Sequence, residues 1–178
     1  WDLLLISLNE LGNVYFCLDR LDESLDFHKQ ALEIARRQNN PYATSFICHD
    51  TGLVYLKKDD LAQGLEYLLM AEQFSPEGIE ARDKALSLIS VAHVYTRLRQ
   101  YDKAQEYLDR ARTMAEGDNI LDAQRSLWEN YATLYHSQGR YEEAFDALER
   151  TGELREQVFS DRHSQRIAEL ETRYESER

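Results

Sequence analysis

Apolar residues recur along the chain at steps of three and four, the spacing of one face of an α-helix. The first run places Leu8, Leu11 and Tyr15 on one side of a helix. Short polar turns, such as Asp19-Arg20, separate each run from the next. The pattern predicts an all-α chain with helices near 2–18, 21–38, 41–58, 61–74, 78–98, 101–116, 119–138 and 141–158.

The apolar runs repeat with a period of 40 residues, typical of repeat architectures. Small residues stand at Gly12, Gly52, Ala92 and Ala132, and a tyrosine follows three positions later in every copy. The other columns are Leu8, Cys48, Leu88 and Trp128; Ser24, Gly64, Ala104 and Ala144; His28, Leu68, Leu108 and Leu148; and Ala31, Ala71, Ala111 and Thr151. Two helices can cross closely only where both carry small side chains at the contact. Each unit is therefore predicted to be a pair of crossing helices.

Turn and cap residues divide the chain into units. Asn40 and Pro41 predict an N-cap and a first-turn proline at the start of the third helix. Gly117 is predicted to cap the C-terminus of the sixth helix. The four units are expected at about 5–38, 41–75, 78–117 and 119–158.

Both ends of the chain differ from the repeat. Ile167, Leu170 and Tyr174 return at helical spacing and predict a ninth helix over 159–178. Its narrow apolar stripe is expected to cap the last unit or to begin a coiled coil, two roles that are compatible along one helix. Trp1 opens the chain inside an apolar segment and is expected to pack on a preceding unit or a neighbouring molecule. We interpret the chain as a fragment, because it lacks an initial Met and ends within a helical pattern.

Composition narrows the class of partner. The net charge of -12 and pI near 4.9 argue against nucleic-acid binding and direct contact with anionic membranes, which both require clustered cations. A basic or neutral polypeptide fits the charge better than a strongly acidic one. Cys17 and Cys48 are not spaced as a metal pair and suggest reduced thiols in a cytoplasmic protein.

The columns resemble those of tetratricopeptide repeats. The matching residues are Leu11-Gly12, the tyrosine column, Ala104, Ala144, Leu68, Leu108, Leu148, Ala31, Ala71, Ala111, Trp128 and Pro76. The resemblance implies a right-handed superhelical solenoid of four helix pairs whose first helices line a concave groove. The 40-residue unit is similar to arrays in bacterial regulatory proteins. Residues 154–177 resemble the helix that precedes an output domain, such as a GGDEF diguanylate cyclase or a histidine kinase.

The resemblance also implies which residues point into the groove. These ligand-binding candidates are Asn9, Glu10, Asn13, Phe16, His49, Asp50, Leu53, His93, Arg97, Glu129, Asn130, Thr133 and His136. Glu10 and Asp50 stand where a clamp for a C-terminal carboxylate would need cations, so this family function is not expected. The histidines are too far apart along the array to share a metal ion, and no catalytic or cofactor-binding motif is present.

The favoured hypothesis is a non-catalytic sensory or protein-interaction module without cofactors. It would bind a peptide or partner protein in the groove and regulate a downstream output domain through Ile167, Leu170 and Tyr174. The alternative is a structural scaffold that forms a homodimer through Trp1 and the exposed ends and binds no peptide. A third interpretation makes the array a spacer in a parent enzyme.

Overall fold

The computed structural model describes residues 3–75 and 80–176, which form eight α-helices and no strand. The helices are α1 (Leu3–Cys17), α2 (Leu21–Arg37), α3 (Pro41–Lys57), α4 (Leu61–Gln73), α5 (Ala81–Arg97), α6 (Tyr101–Gly117), α7 (Leu121–Ser137) and α8 (Tyr141–Ser176). The predicted all-α fold of four helix pairs is confirmed. As predicted, Asn40 caps α3, with its side-chain oxygen accepting a hydrogen bond from the backbone N–H of Ala43 at 3.0 Å.

Helices α1, α2, α3, α5, α6 and α7 all end in the same type of turn. The second residue after the helix adopts a left-handed conformation, with φ between 48° and 77°, at Asp19, Asn39, Asp59, Arg99, Asn119 and Gly139. The following backbone N–H then donates to the carbonyl five residues earlier, as in Arg20 to Tyr15 at 2.9 Å. This Schellman arrangement satisfies carbonyls at the helix end. Helix and turn together span 20 residues, so the 40-residue unit consists of two equal halves.

The prediction that Gly117 caps α6 is wrong. Gly117 is the last residue of the helix, and Asn119 takes the left-handed conformation with φ of 50°. The turn always places this conformation two residues after the helix ends. Asn tolerates it through local hydrogen bonding, so no glycine is needed there.

The pairs stack into a solenoid. The two helices of each unit pack together, α3 packs on α2, α5 packs on α4, and α7 packs on both α5 and α6. Gly52 and Gly64 face each other at the crossing of α3 and α4, where a Cβ on Gly52 would lie 3.2 Å from the Gly64 carbonyl oxygen. The small columns therefore do mark a close helix crossing. Leu68 is fully buried beside this crossing, and Leu108 is fully buried in the same column of unit three.

Helix α8 differs from the prediction of a separate ninth helix. It runs without a break from Tyr141 to Ser176. In the 20-residue pattern the next left-handed residue would be Phe159, and a bulky aromatic side chain disfavours that conformation. Because the tail continues α8, it does not fold back to cap the fourth unit. None of the helices in the described part of the chain is long and apolar enough to cross a membrane.

Candidate functional site

Several polar residues predicted to line the groove contact the first helix of a neighbouring unit. The Asn9 side-chain amide on α1 donates to the Asp50 carboxylate on α3 at 3.2 Å. His49 on α3 lies 3.3 Å from the hydroxyl of Ser90 on α5. The Asn130 side chain on α7 acts on His93 of α5 and raises its pKa in part. These pairs are about one repeat apart, so the polar columns join successive first helices. A column considered within its own unit does not predict these contacts, and the role of the same residues in ligand binding stays a prediction.

A second set of contacts joins the units at the C-terminal ends of the first helices. The Lys57 ammonium lies 3.1 Å from the backbone oxygen of Phe16 and 3.0 Å from the Asp19 carboxylate. It also stands 4.7 Å from the centre of the Phe16 ring. One repeat later, Arg97 pairs with Asp59 in the same way. Arg97, predicted as a groove residue, therefore contacts the turn of the preceding unit.

His28 on α2 is fully buried beneath this inner face. Its Nδ1 lies 3.2 Å from the side-chain oxygen of Asn9, whose amide group is engaged by Asp50. This arrangement makes Nδ1 the protonated nitrogen. Within the described residues, Nε2 has no hydrogen-bond partner. Burial lowers the pKa of His28, although the nearby Asp50 carboxylate raises it in part.

Asp50 is the charged member of this cluster. Burial opposes its charge, but the adjacent His49, the hydrogen bond from Asn9 and the nearby His28 lower the pKa of Asp50 below its usual value. The carboxylate therefore remains ionised at neutral pH. It contacts Asn9 on one side and lies 3.7 Å from Nδ1 of His49 on the other.

Acidification is expected to destabilise the array through His28. The pKa of His28 is lower in the folded state than in the unfolded chain. Its contribution to the free energy of unfolding is therefore complete above about pH 6.5 and is lost as the pH falls through the pKa of the folded state. The urea midpoint should stay constant from pH 8 to 7 and fall between about pH 6.5 and 5.

The matched variant for this titration is His28→Leu. Leucine is the residue in this column of the next unit, where Leu68 packs beside Gly52 as His28 packs beside Gly12. His28→Leu should flatten the dependence, leaving the contribution of His93, whose pKa burial also lowers. An unchanged pH profile in this variant would contradict the assignment.

Two of the predicted groove residues line a pocket between units two and three. This α3–α5 pocket has a volume of about 220 Å³. Its described lining residues are Ser45, Phe46, His49, Asp50, Glu72, Ser75, Asp83, Lys84, Leu86, Ser87 and Leu88. Phe46, Leu86 and Leu88 supply apolar surface, and three carboxylates against one lysine make the lining acidic. Sequence analysis missed most of this set because the pocket is formed by several helices.

Apart from Leu53 on α3, the remaining predicted groove residues lie towards the two ends of the array. Glu10 is exposed on α1, whereas Asn13, Phe16 and Leu53 are partly buried. Glu129, Thr133 and His136 line a depression of about 570 Å³ between α7 and α8, together with Ala132, Ala144, Leu148, Thr151, Gly152 and Arg155. The α3–α5 pocket therefore lies in the middle of the array, and the depression lies at the open end of unit four.

Among the described residues, no cluster of three or more His, Cys, Asp or Glu could hold a metal ion. Cys48 is buried, and burial raises the pKa of its thiol to about 11. Because the thiolate is the reactive form, this cysteine is a poor nucleophile at neutral pH.

The repeat skeleton and the stacked first helices agree with one family model. The model described as tetratricopeptide repeat matches residues 3–77 and 83–157. The chain belongs to the tetratricopeptide repeat family. Members are non-catalytic protein-interaction scaffolds, and this array is a module of that kind. No curated protein matches the chain.

Solved structures share the fold at low sequence identity. BtubC (BKLC) from P. vanneervenii is 18% identical with a TM-score of 0.74; the match covers 88% of this chain and 65% of that protein. A Podosopora anserina protein with nearly identical TPR-like repeats is 18% identical, with a TM-score of 0.65 and coverage of 86% and 76%. YrrB, described as a TPR protein with an unusual peptide-binding site, is 17% identical, with a TM-score of 0.52 and coverage of 89% and 90%. These structural similarities establish the solenoid fold.

Proposed function

We propose that the array binds an extended segment of a partner protein on its inner face, with one basic side chain of that segment in the α3–α5 pocket. The observation that carries the proposal is the pocket itself, which adjoins the polar contacts between α3 and α5. A concave surface of first helices with a pocket suits an extended peptide whose anchoring side chain gives specificity. YrrB, with its described peptide-binding site, shares this fold.

The lining of the pocket favours lysine or arginine as the anchor. Phe46, Leu86 and Leu88 provide apolar surface for the methylene stem of a long cationic side chain. Asp50 and Asp83 provide carboxylates for its charged head. The net charge of -12 also attracts a cationic segment before contact is made.

Ser87→Arg is expected to weaken binding about tenfold or more, because the new side chain fills the pocket and adds a competing positive charge. Peptides selected on the array from a random twelve-residue display library would serve as probes, labelled for fluorescence anisotropy. Selection should enrich arginine or lysine at one position.

Gln30→Arg is the matched control for this binding experiment, because it adds the same charge to an exposed position of α2, outside the inner face and the pocket. It should leave the affinity within about twofold. The proposal is contradicted if no basic position is enriched or if Ser87→Arg binds as well as the parent chain.

We further propose that binding is communicated through α8 to an output domain in a cytoplasmic bacterial signalling protein. Ala144, Ala147, Thr151 and Leu154 are buried in unit four and belong to the same uninterrupted helix as the tail. A tilt of unit four would therefore move residues 159–176 as one body. A tail whose position does not respond to the selected peptide would contradict this transmission.

A further inference from the structure

The fourth unit exposes a surface that is buried in the earlier units. Leu148 is 56% exposed, whereas Leu68 and Leu108 in the same column are fully buried. Phe145 is 67% exposed, whereas its counterpart Leu25 is 5% exposed. In the earlier units this surface is covered by the first helix of the next unit, as α7 covers α5 and α6. In unit four it forms the open depression between α7 and α8.

The exposed apolar surface continues along α8 beyond the array. Phe159 is 71% exposed, and Ile167 and Tyr174 are 46% and 63% exposed. Together with the residues beside unit four, they recur at steps of three, four or seven along one side of the helix, typical of a helix-pairing seam. The members of this α8 seam are Tyr141, Phe145, Leu148, Gly152, Phe159, His163, Ile167 and Tyr174.

We infer that the α8 seam pairs with α8 of a second copy of this chain in an antiparallel dimer. The repeat itself defines the direction, because a following first helix would lie antiparallel to α8. A two-fold axis across α8 near Phe159 satisfies this requirement for both copies. It lays residues 159–174 of each copy into the depression of the other, with Ile167 opposite Thr151 and Tyr174 opposite Ala144.

Charge favours this direction over a parallel pair. Residues 141–158 contain six acidic residues and two arginines, whereas residues 159–176 contain four acidic residues and three arginines. A parallel pair would place the strongly acidic halves against each other. The antiparallel pair places each acidic half beside the half that holds most of the arginines, which lowers the repulsion.

The same depression could receive a different surface of a second copy, the exposed face of α1 with Leu4, Leu11 and Val14. That contact is heterologous and would continue from copy to copy into an open chain, whereas the α8 pair is self-complementary and closes as a dimer. The mass of the assembly therefore distinguishes the two arrangements.

Multi-angle light scattering of the 20.9 kDa chain should give twice its mass, constant over a hundredfold range of concentration. Leu148→Glu and Phe159→Glu, both at exposed positions, should each give folded monomers by circular dichroism. Leu18→Glu, at an exposed position directly after α1, should remain dimeric. A monomeric parent chain, a mass that grows with concentration, or a dimer that survives both α8 variants would overturn the inference.

Spin-label distances test the direction of pairing. In a Cys17→Ser background, with Cys48 buried, Glu142→Cys provides one exposed labelling site per chain. An antiparallel pair centred near Phe159 places the two Glu142 backbones about 50 Å apart at 1.5 Å per residue. A parallel pair places them on the order of 10 Å apart, the usual distance between packed helices, and this short distance would overturn the proposed direction. Neither experiment uses a peptide, so its outcome is separate from that of the peptide-binding proposal.

Discussion

Leu108→Ala is expected to lower the free energy of unfolding by about 2–5 kcal/mol, the range for removing a fully buried leucine side chain and leaving a cavity. Leu108 is fully buried in the main core between α5, α6 and α7. Urea unfolding followed by circular dichroism would measure the change. The loss should also reduce the steepness of the transition, because an array is held together by contacts between neighbouring units.

Leu148→Ala is the control, since it removes the same atoms from the same column of unit four. Its side chain is mostly exposed, so the loss in monomeric protein should stay below about 1 kcal/mol. The measurement belongs at low protein concentration or in the Phe159→Glu background, where association does not contribute. If Leu108→Ala and Leu148→Ala lowered the free energy of unfolding equally, the difference in burial that defines the open end of the array would be contradicted.

Gly12→Ala is expected to destabilise the chain by about 1–3 kcal/mol, although alanine is normally the better helix former. A Cβ at Gly12 would lie 2.5 Å from Cε1 and 2.6 Å from Nδ1 of His28. The ring is fully buried and bonded to Asn9, so it cannot move aside without losing that contact. Thermal unfolding should show the loss at pH 7.5, where His28 is neutral.

Gly152→Ala is expected to have the opposite effect on stability. Gly152 lies within α8, and no heavy atom would stand within 4 Å of an added Cβ. In the monomeric Phe159→Glu background, where no second copy covers the α8 seam, the substitution should therefore raise the stability by up to about 1 kcal/mol through helix propensity alone. Destabilisation at Gly152, or stabilisation at Gly12, would show that the close crossing of α1 and α2 is not what requires glycine.

The repeat made the fold predictable. The columns at Gly12, Gly52, Ala92 and Ala132 mark close approaches, and their regular spacing defined the helix pairs before any contact was known. The helix ends were harder to predict. The turn geometry selects the second residue after the helix, so Asn119 was overlooked in favour of Gly117. The end of α8 was misjudged because the stop depends on a turn residue that Phe159 replaces.

The candidate site was less predictable for a physical reason. A single unit shows which side of a helix a residue occupies, but not which residue of the next unit stands opposite. Asn9 and Asp50 lie 41 positions apart in sequence and hydrogen-bond each other, as do His49 and Ser90. The pocket adds Glu72 from the end of α4, which no inner-face column contains. The side chains of Trp1 and Leu170 lie outside the described residues, and their predicted contacts stay predictions.

The central claim is that the inner face at the α3–α5 pocket is the binding surface of the array. Hydrogen exchange measured with and without a peptide selected on the array tests it directly. We expect the peptide to slow exchange in residues 45–50 of α3 and 83–88 of α5, because these segments line the pocket. Slower exchange confined to the second helices α4 and α6, with α3 and α5 unchanged, would contradict the account.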